Sequence, residues 1–453
     1  MPFEGEFASY EPLRRIMESD AVKSIESRFK VRKTDEISED IRANLIYKDD
    51  LVGSLWQPDM VIGIDGSLHK VKAENGFPSA EFGYITVASV LILLDKIREL
   101  EKKEFINPKE FRETEEASSF DAIFPGCNVI VDTERDAKSS MRKVLYEQLL
   151  KSIAFSEGET LLDTYEALLQ IKRDKGQDSR PPKCPCEVEK DYQYGYKKYS
   201  CSCGKDLFST DALRLHELHN DSGSCREMYG QIMFTIERLW LVHILRAFER
   251  KKWLPVLARL AFIIDGQLAV YSTSSWLTKS ISAELKRINT KQKKKTGKDM
   301  LILGIEKSGA FVNHFEDLDT NKAGVKDRIP IHSGLLLSDA YIKNNIIFSQ
   351  STKPYGLDTY FGRKFFYKAK TGHKVVASIA TFNDAQQDLT TANPNQFPRL
   401  FDAMSLLDLM SSNRYPNSVT PLISAHAEAA IPLNLGKKLF EKVAKEIRNR
   451  PKL

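Results

Sequence analysis

Two stretches of the sequence carry an apolar run into an aspartate and a glycine. In VIGIDGSLHK, Val61 to Lys70, the run reaches Asp65, Gly66 and Ser67. In FIIDGQLAVY, Asp265 follows Phe262, Ile263 and Ile264. An aspartate that ends an apolar strand lies at the rim of a sheet, where open α/β folds place their sites. The glycine after it lets the backbone turn and leaves room for a substrate. Two such aspartates on neighbouring strands would jointly hold Mg²⁺ or Mn²⁺, hard cations that take carboxylate oxygen. A metal pair can activate water and stabilise the leaving oxygen of a phosphodiester. Asp-Gly is also ordinary turn chemistry, so either motif alone favours a plain turn. The matched pair favours the metal site.

A third acid usually completes such a site. Glu237 is the first candidate, because a carboxylate on a largely apolar helix needs either a function or a solvent-facing position. Glu227 and Asp132 are rivals that spacing does not separate from it.

The cysteines suggest a second centre. Of six, five crowd together as Cys184, Cys186, Cys201, Cys203 and Cys225, and Cys127 stands apart. In a reducing compartment such clustering points to metal rather than disulfides. Cys184-Pro-Cys186 and Cys201-Ser-Cys203, separated by fourteen residues, supply four candidate ligands for a tetrahedral structural Zn²⁺, although the more familiar knuckle has two residues between its cysteines. Cys225, His216 and His219 are substitutes for any one of them. Tyr192, Tyr194, Tyr196 and Tyr199 alternate with lysines there, a pattern suited to stacking on single strands. Free thiols in a loop, or a purely structural knuckle, are the alternatives.

The 453 residues are enough for two or three domains or one large domain with insertions, and 42% hydrophobic residues build a proper core. Disorder is therefore not the default for this chain. No apolar run reaches the length of a membrane helix. The start, MPFEGEFASYEPLRR, has no basic segment followed by an apolar one, so no signal peptide is expected and the expected compartment is the cytoplasm. The formal charge of +5 is too small to prove a nucleic-acid partner. The run KRINTKQKKKTGK, Lys286 to Lys298, is either a solvated loop or a phosphate-contacting arm.

The positioning elements read as follows. Residues 1–50 look helical and charged. Strands are expected at Val61–Ile64, Phe82–Leu94 and Cys127–Thr133, followed by helices over 135–155 and 158–174. Composition shifts near Gln177 to a Pro-, Cys-, Lys- and Tyr-rich stretch that reads as an insertion rather than core. Helix resumes over 225–251, where Met233, Ile236, Trp240, Ile244 and Phe248 share a face. Strands follow at 258–265 and 300–309, a helix starts within 335–346, and an edge hairpin turns at Thr371-Gly372. The remainder, over 399–413 and 421–450, is helical. The domain reading is an N-terminal helical region (1–50), a main α/β domain in two parts (51–176 and 227–453), and the Cys-rich insertion (177–226) between them.

Four places resemble the NurA family of DNA-end nucleases. These are IDGS at Ile64–Ser67, IIDGQL at Ile263–Leu268, GIEKSG at Gly304–Gly309 and YPNSVTPLISAHAEA at Tyr415–Ala429. Each motif is short, but their order and spacing agree with the family over most of the chain. The resemblance implies an α/β, ribonuclease H-like mixed sheet flanked by helices, here with a zinc-knuckle-like insertion. It implies a manganese-dependent nuclease acting on DNA ends, a homodimer, and docking onto a hexameric HerA-type ATPase. Carried over, Asp65 and Asp265 are metal ligands and Glu237 is the intervening acid. His426 is a ligand or orienting base, Lys307 contacts phosphate or polarises water, and Tyr415 lines the site. A neutral imidazole suits Mn²⁺ better than Mg²⁺. The sequence departs from compact family members by the Cys-rich insertion and by a stretched gap between Tyr415 and His426. The insertion suggests service in phage defence rather than housekeeping end resection. A non-catalytic DNA-end clamp and an RNA-processing ribonuclease are the competing readings.

Overall fold

The computed structural model describes residues 10–30, 44–56, 58–73, 77–94, 115–153, 158–174, 195–201, 203–320, 328–411 and 420–430. The chain divides into two compact units, residues 1–43 and 44–453. In the first, α1 (Glu11–Glu18) and α2 (Asp20–Glu26) meet at Ser19, whose hydroxyl accepts from the Val22 amide and caps α2.

The second unit is organised by a mixed sheet that has nine strands among the described residues. The first is β1 (Leu45–Tyr47), which falls inside the stretch read as helical. An antiparallel meander follows, made of β2 (Met60–Lys72), β3 (Glu81–Leu93) and β4 (Glu115–Pro125). Two helices, α3 (Ala137–Lys151) and α4 (Leu161–Asp174), lead to the small antiparallel pair β5 (Lys198–Ser200) and β6 (Asp206–Phe208). After α5 (Arg226–Arg250) come β7 (Leu260–Asp265), α6 (Leu277–Thr296) and β8 (Leu301–Glu306). The chain continues through α7 (Ala310–Asp319), β9 (Ser333–Leu336), α8 (Asp339–Asn345), and the hairpin of β10 (Gly362–Lys368) and β11 (Lys374–Ala380). It ends, as described, with α9 (Leu400–Met410) and α10 (Thr420–Ala429). The strand order is β1-β9-β10-β11-β8-β7-β2-β3-β4.

The three strands that matter most lie side by side. β7 is parallel to both β2 and β8, and its LAFIID and β8's LILGIE are apolar almost throughout because both faces of the sheet are covered there. Strand side chains alternate between faces. Ile62, Ile64, Phe262 and Ile302 point into a core shared with α3 to α6, whereas Val61, Ile263, Leu303 and Ile305 point into a core closed by α9 and α10. Asp65 and Asp265 inherit the parity of Val61 and Ile263, so both carboxylates lie on the α10 side.

Several expectations are corrected. β2 does not end at Asp65. It runs through Gly66 to Lys72, and only its pairing with β7 stops, at Ile64 opposite Ile264. Cys127–Thr133 is turn rather than strand. The ladder partner of β3 is the preceding EEASSFDAIFP, whose polar start hid it. The β10–β11 hairpin turns where expected, with Gly372 at φ +81°, but it is interior, flanked by β9 and β8. Leu335 and Leu336 belong to β9. The basic run is not a loop: it forms the end of α6, where Ile288, Asn289 and Gln292 are buried. Lys286, Lys291 and Lys293 pair with Asp384, Glu249 and Asp299. Within the stretch read as an insertion, residues 177–194 and 202 lie outside the described residues. Phe208, Ala212, Leu213, Leu215 and Cys225, by contrast, are buried in the main core. Arg142 of α3 is held there by Asp211, at 2.8 and 2.5 Å.

Candidate metal centre

The site is assembled where β2, still paired with β3, leaves β7, and at the carboxyl ends of β7 and β8. Asp65 is 1% exposed, just past the point where β7 stops pairing. Asp265 is the last residue of β7, and Gly266 after it turns at φ +75°. Lys307 follows the last residue of β8, and its ammonium spans the pair, 3.3 Å from Asp65 Oδ2 and 3.1 Å from Asp265 Oδ1. From α10, packed over β2 and β3, His426 Nδ1 comes to 3.1 Å from Asp65 Oδ2. The Gly66 amide donates to Asp65 Oδ1 at 2.8 Å.

Glu237 approaches from the other face of the sheet. It is 3% exposed, in the middle of α5. The sheet admits it because residue 66 is glycine. A Cβ there would collide with Glu237 Oε1 and stand 2.8 Å from Met233 Cγ. Arg238, fully buried beside it, forms an ion pair with Glu237 and donates to the carbonyls of Asp265 and Gln267 at 3.1 and 2.8 Å. The rival acids are elsewhere: Glu227 is exposed at the start of α5, and Asp132 pairs with Lys143 at 2.7 Å.

Electrostatics ties these groups together. Burial alone would raise the Asp65 carboxyl, but the hydrogen bond from His426 and the charge of Lys307 outweigh it and hold Asp65 below its usual value. Asp265 is raised, by burial and then by the charge of Asp65. Glu237 is pushed up to about 8 by burial, with Asp65 and Asp265 adding to the effect and Arg238 opposing it. Lys307 is raised because its two carboxylates outweigh its burial. His426 is raised mainly by its hydrogen bond to Asp65.

The donor set is that of a hard cation, with two carboxylates side by side and an imidazole against one of them. A positive charge already bridges the carboxylates in the form of the lysine ammonium. Among the described residues no group of three or more His, Cys, Asp or Glu stands in metal-holding geometry as placed. The two carboxylates and the imidazole are of the types that ligate a divalent cation, and as placed the carboxylates converge on the Lys307 ammonium.

The other expected site residues divide. Tyr415, Cys184, Cys186, Tyr192 and Tyr194 lie outside the described residues. Cys201 and Cys203 flank the turn between β5 and β6. Cys225 is buried and donates to the Asn220 carbonyl. His216 is buried and pushed down to about 4 by that burial. His219 stands 3.0 Å from Asp221. Arg238 escaped the sequence reading. Its signal was a Glu-Arg pair inside an apolar helix, where neither charge could be solvated alone.

A family model described as NurA domain matches residues 59–431. No curated protein matches the chain. Among solved structures, the NurA nuclease from Sulfolobus solfataricus is 11% identical over 98% of this chain and 98% of that one, with a TM-score of 0.33. A second NurA structure is 12% identical over 98% and 99%, with a TM-score of 0.26. A NurA structure with manganese is 11% identical over 97% and 99%, with a TM-score of 0.27.

Proposed function

The chain belongs to the NurA family, and from that premise we propose that it is a divalent-metal-dependent deoxyribonuclease hydrolysing phosphodiester bonds at DNA ends. The observation that carries this reading is the convergence of Asp65 and Asp265, on adjacent parallel strands, upon the Lys307 ammonium, with His426 against Asp65. Asp65, Asp265, Glu237 and His426 would hold Mn²⁺ or Mg²⁺. Bound there, the metal would supply a nucleophile from water and charge for the leaving oxygen. Lys307 would neutralise phosphate as the substrate enters, exchanging its carboxylates for phosphate oxygen. His426, on the more exposed side of the centre, would orient the attacking group. Arg238 would fix Glu237 from behind the sheet.

The finer parts of the reading rest on the resemblance in the sequence. They are a ribonuclease H-like classification of the mixed sheet, cytoplasmic location, homodimerisation, partnership with a HerA-type hexameric ATPase, and service in DNA-end processing or phage defence. Tyr415 would line the site, and Cys184, Cys186, Cys201 and Cys203 would hold a structural Zn²⁺. Among the described residues no helix is long and apolar enough to cross a membrane.

The test is cleavage of linear duplex DNA with Mn²⁺, with and without the ATPase, by wild type, Asp65→Asn and Asp265→Asn. The expected outcome is cleavage by wild type and loss in both variants, with folding unchanged by circular dichroism. Persistent cleavage in both variants would make the two motifs structural. An inactive wild type, even with the ATPase, would favour a DNA-end clamp, and preference for an RNA strand would move the substrate class.

A further inference from the structure

The face of α5 that delivers Glu237 and Arg238 carries two more residues at helical spacing, Gly230 and Phe234. They line an open cleft of about 290 Å³ together with Gln267 and Tyr271, with Asp265 and Lys307 at its side. The cleft therefore begins at Asp265 and Lys307. Its ring pair is fixed in place. Phe234 and Tyr271 stand 5.9 Å apart, tilted by 33°. Arg238 covers Phe234 at 3.6 Å, and Gln267 Oε1 accepts from the hydroxyls of Tyr271 and Tyr360.

Gly230 is the second observation. Glycine inside a helix is unfavourable, so an interior glycine usually answers to crowding or to an unusual backbone. Neither holds here: Gly230 is helical, and a Cβ at this position would meet nothing within 4 Å. What its missing side chain does is leave the cleft open.

The cleft offers held aromatic rings, a carboxamide and the Lys307 ammonium, with the carboxylates of Asp265 and Glu306 also on its wall, and the rings suit a flat heterocycle whose phosphate lies toward Lys307. We propose that it receives the base of the nucleotide at the scissile phosphodiester, stacked on Phe234 and Tyr271, an inference that rests on the nuclease reading above. Stacking on rings is indifferent to sequence because every base has a π-face. The pocket would thus hold one unpaired nucleotide in register with Asp265 and Lys307 without reading its identity.

The experiment compares Mn²⁺-dependent cleavage of two DNA substrates, one intact and one with an abasic analogue at the terminal nucleotide. Wild type, Gly230→Met and Phe234→Leu are each assayed for kcat and KM. Wild type is expected to show a KM raised roughly 5- to 140-fold on the abasic substrate, the loss of one stacked base. Gly230→Met fills the cleft while favouring the helix. It is expected to raise KM on intact DNA by a comparable factor and to erase the difference between the two substrates. Phe234→Leu is expected to narrow that difference. If wild type cuts both substrates with the same KM, or if both variants weaken both substrates equally, the pocket is overturned and the nuclease reading stands. If wild type cuts neither, the nuclease reading fails and takes the pocket with it.

Discussion

Lys307 donates to both carboxylates, so Lys307→Met leaves Asp65 and Asp265 facing each other without a cation. The metal-free variant is expected to lose about 1.5–3 kcal/mol of stability, the scale of hydrogen bonds to charged groups. Mn²⁺ should then raise its melting temperature more than that of wild type. Equal metal shifts by differential scanning fluorimetry would mean that the ammonium is not standing in for a metal. His426 supplies a second test. Its imidazole is raised above 6.5 mainly by the hydrogen bond to Asp65. In metal-free Asp65→Asn its NMR titration should move down toward 6.5, and an unchanged midpoint would break the pairing. Both aspartates were legible in the sequence because an apolar run ending on a charge is rare. Gly66 makes no turn: β2 continues through it, and its missing side chain makes room for Glu237 Oε1. Contact across a sheet has no signature in local spacing, which is why Arg238 went unseen.

The elements carry a pH dependence of their own. His243 in α5 is fully buried against Thr164 at 2.7 Å, and His216 lies buried beside Asp211; burial pushes each down to about 4 from 6.5. The unfolded chain therefore binds more protons than the fold between these values. The contribution of these two histidines is full above about pH 6.5 and is lost as pH falls toward 4. Each histidine contributes a slope of about 1.4 kcal/mol per pH unit inside that window, so the pair should cost about 2–4 kcal/mol on going down to about pH 5. Urea unfolding at several pH values should show this slope in wild type and a flatter one in His216→Asn/His243→Asn. A slope that survives both replacements would place the protons elsewhere. Strands and helices with strong periodicity, such as β7, β8 and α5, were readable from sequence. β4 was not, because its first half is polar, and the hairpin was read as an edge because alternation within two strands does not reveal their neighbours. The lysines of α6 read as a loop because their carboxylate partners, Glu249, Asp299 and Asp384, come from other segments.

At the scale of the whole molecule, the segment read as an insertion is partly a structural member. Phe208, Leu213 and Leu215 are buried in the larger core, and Arg142 is held by Asp211 where both are almost fully enclosed. Excising residues 206–218 should abolish cooperative unfolding, and Arg142→Ala alone should cost about 3–5 kcal/mol by stranding a buried carboxylate. A melting curve that stays sharp after the excision would return the segment to the status of an appendage. Composition misled here because a few apolar anchors among polar residues do not register as core. The centre also has an unusual span along the chain. Lys307 reaches Asp65 across 242 positions, and His426 reaches it across 361. A chain emerging from a ribosome therefore presents the first aspartate long before its lysine, and presents the histidine later still. Throughout most of its synthesis the growing polypeptide holds an unfinished centre. Whatever chemistry the finished one performs is withheld from the nascent chain by the order of its residues alone.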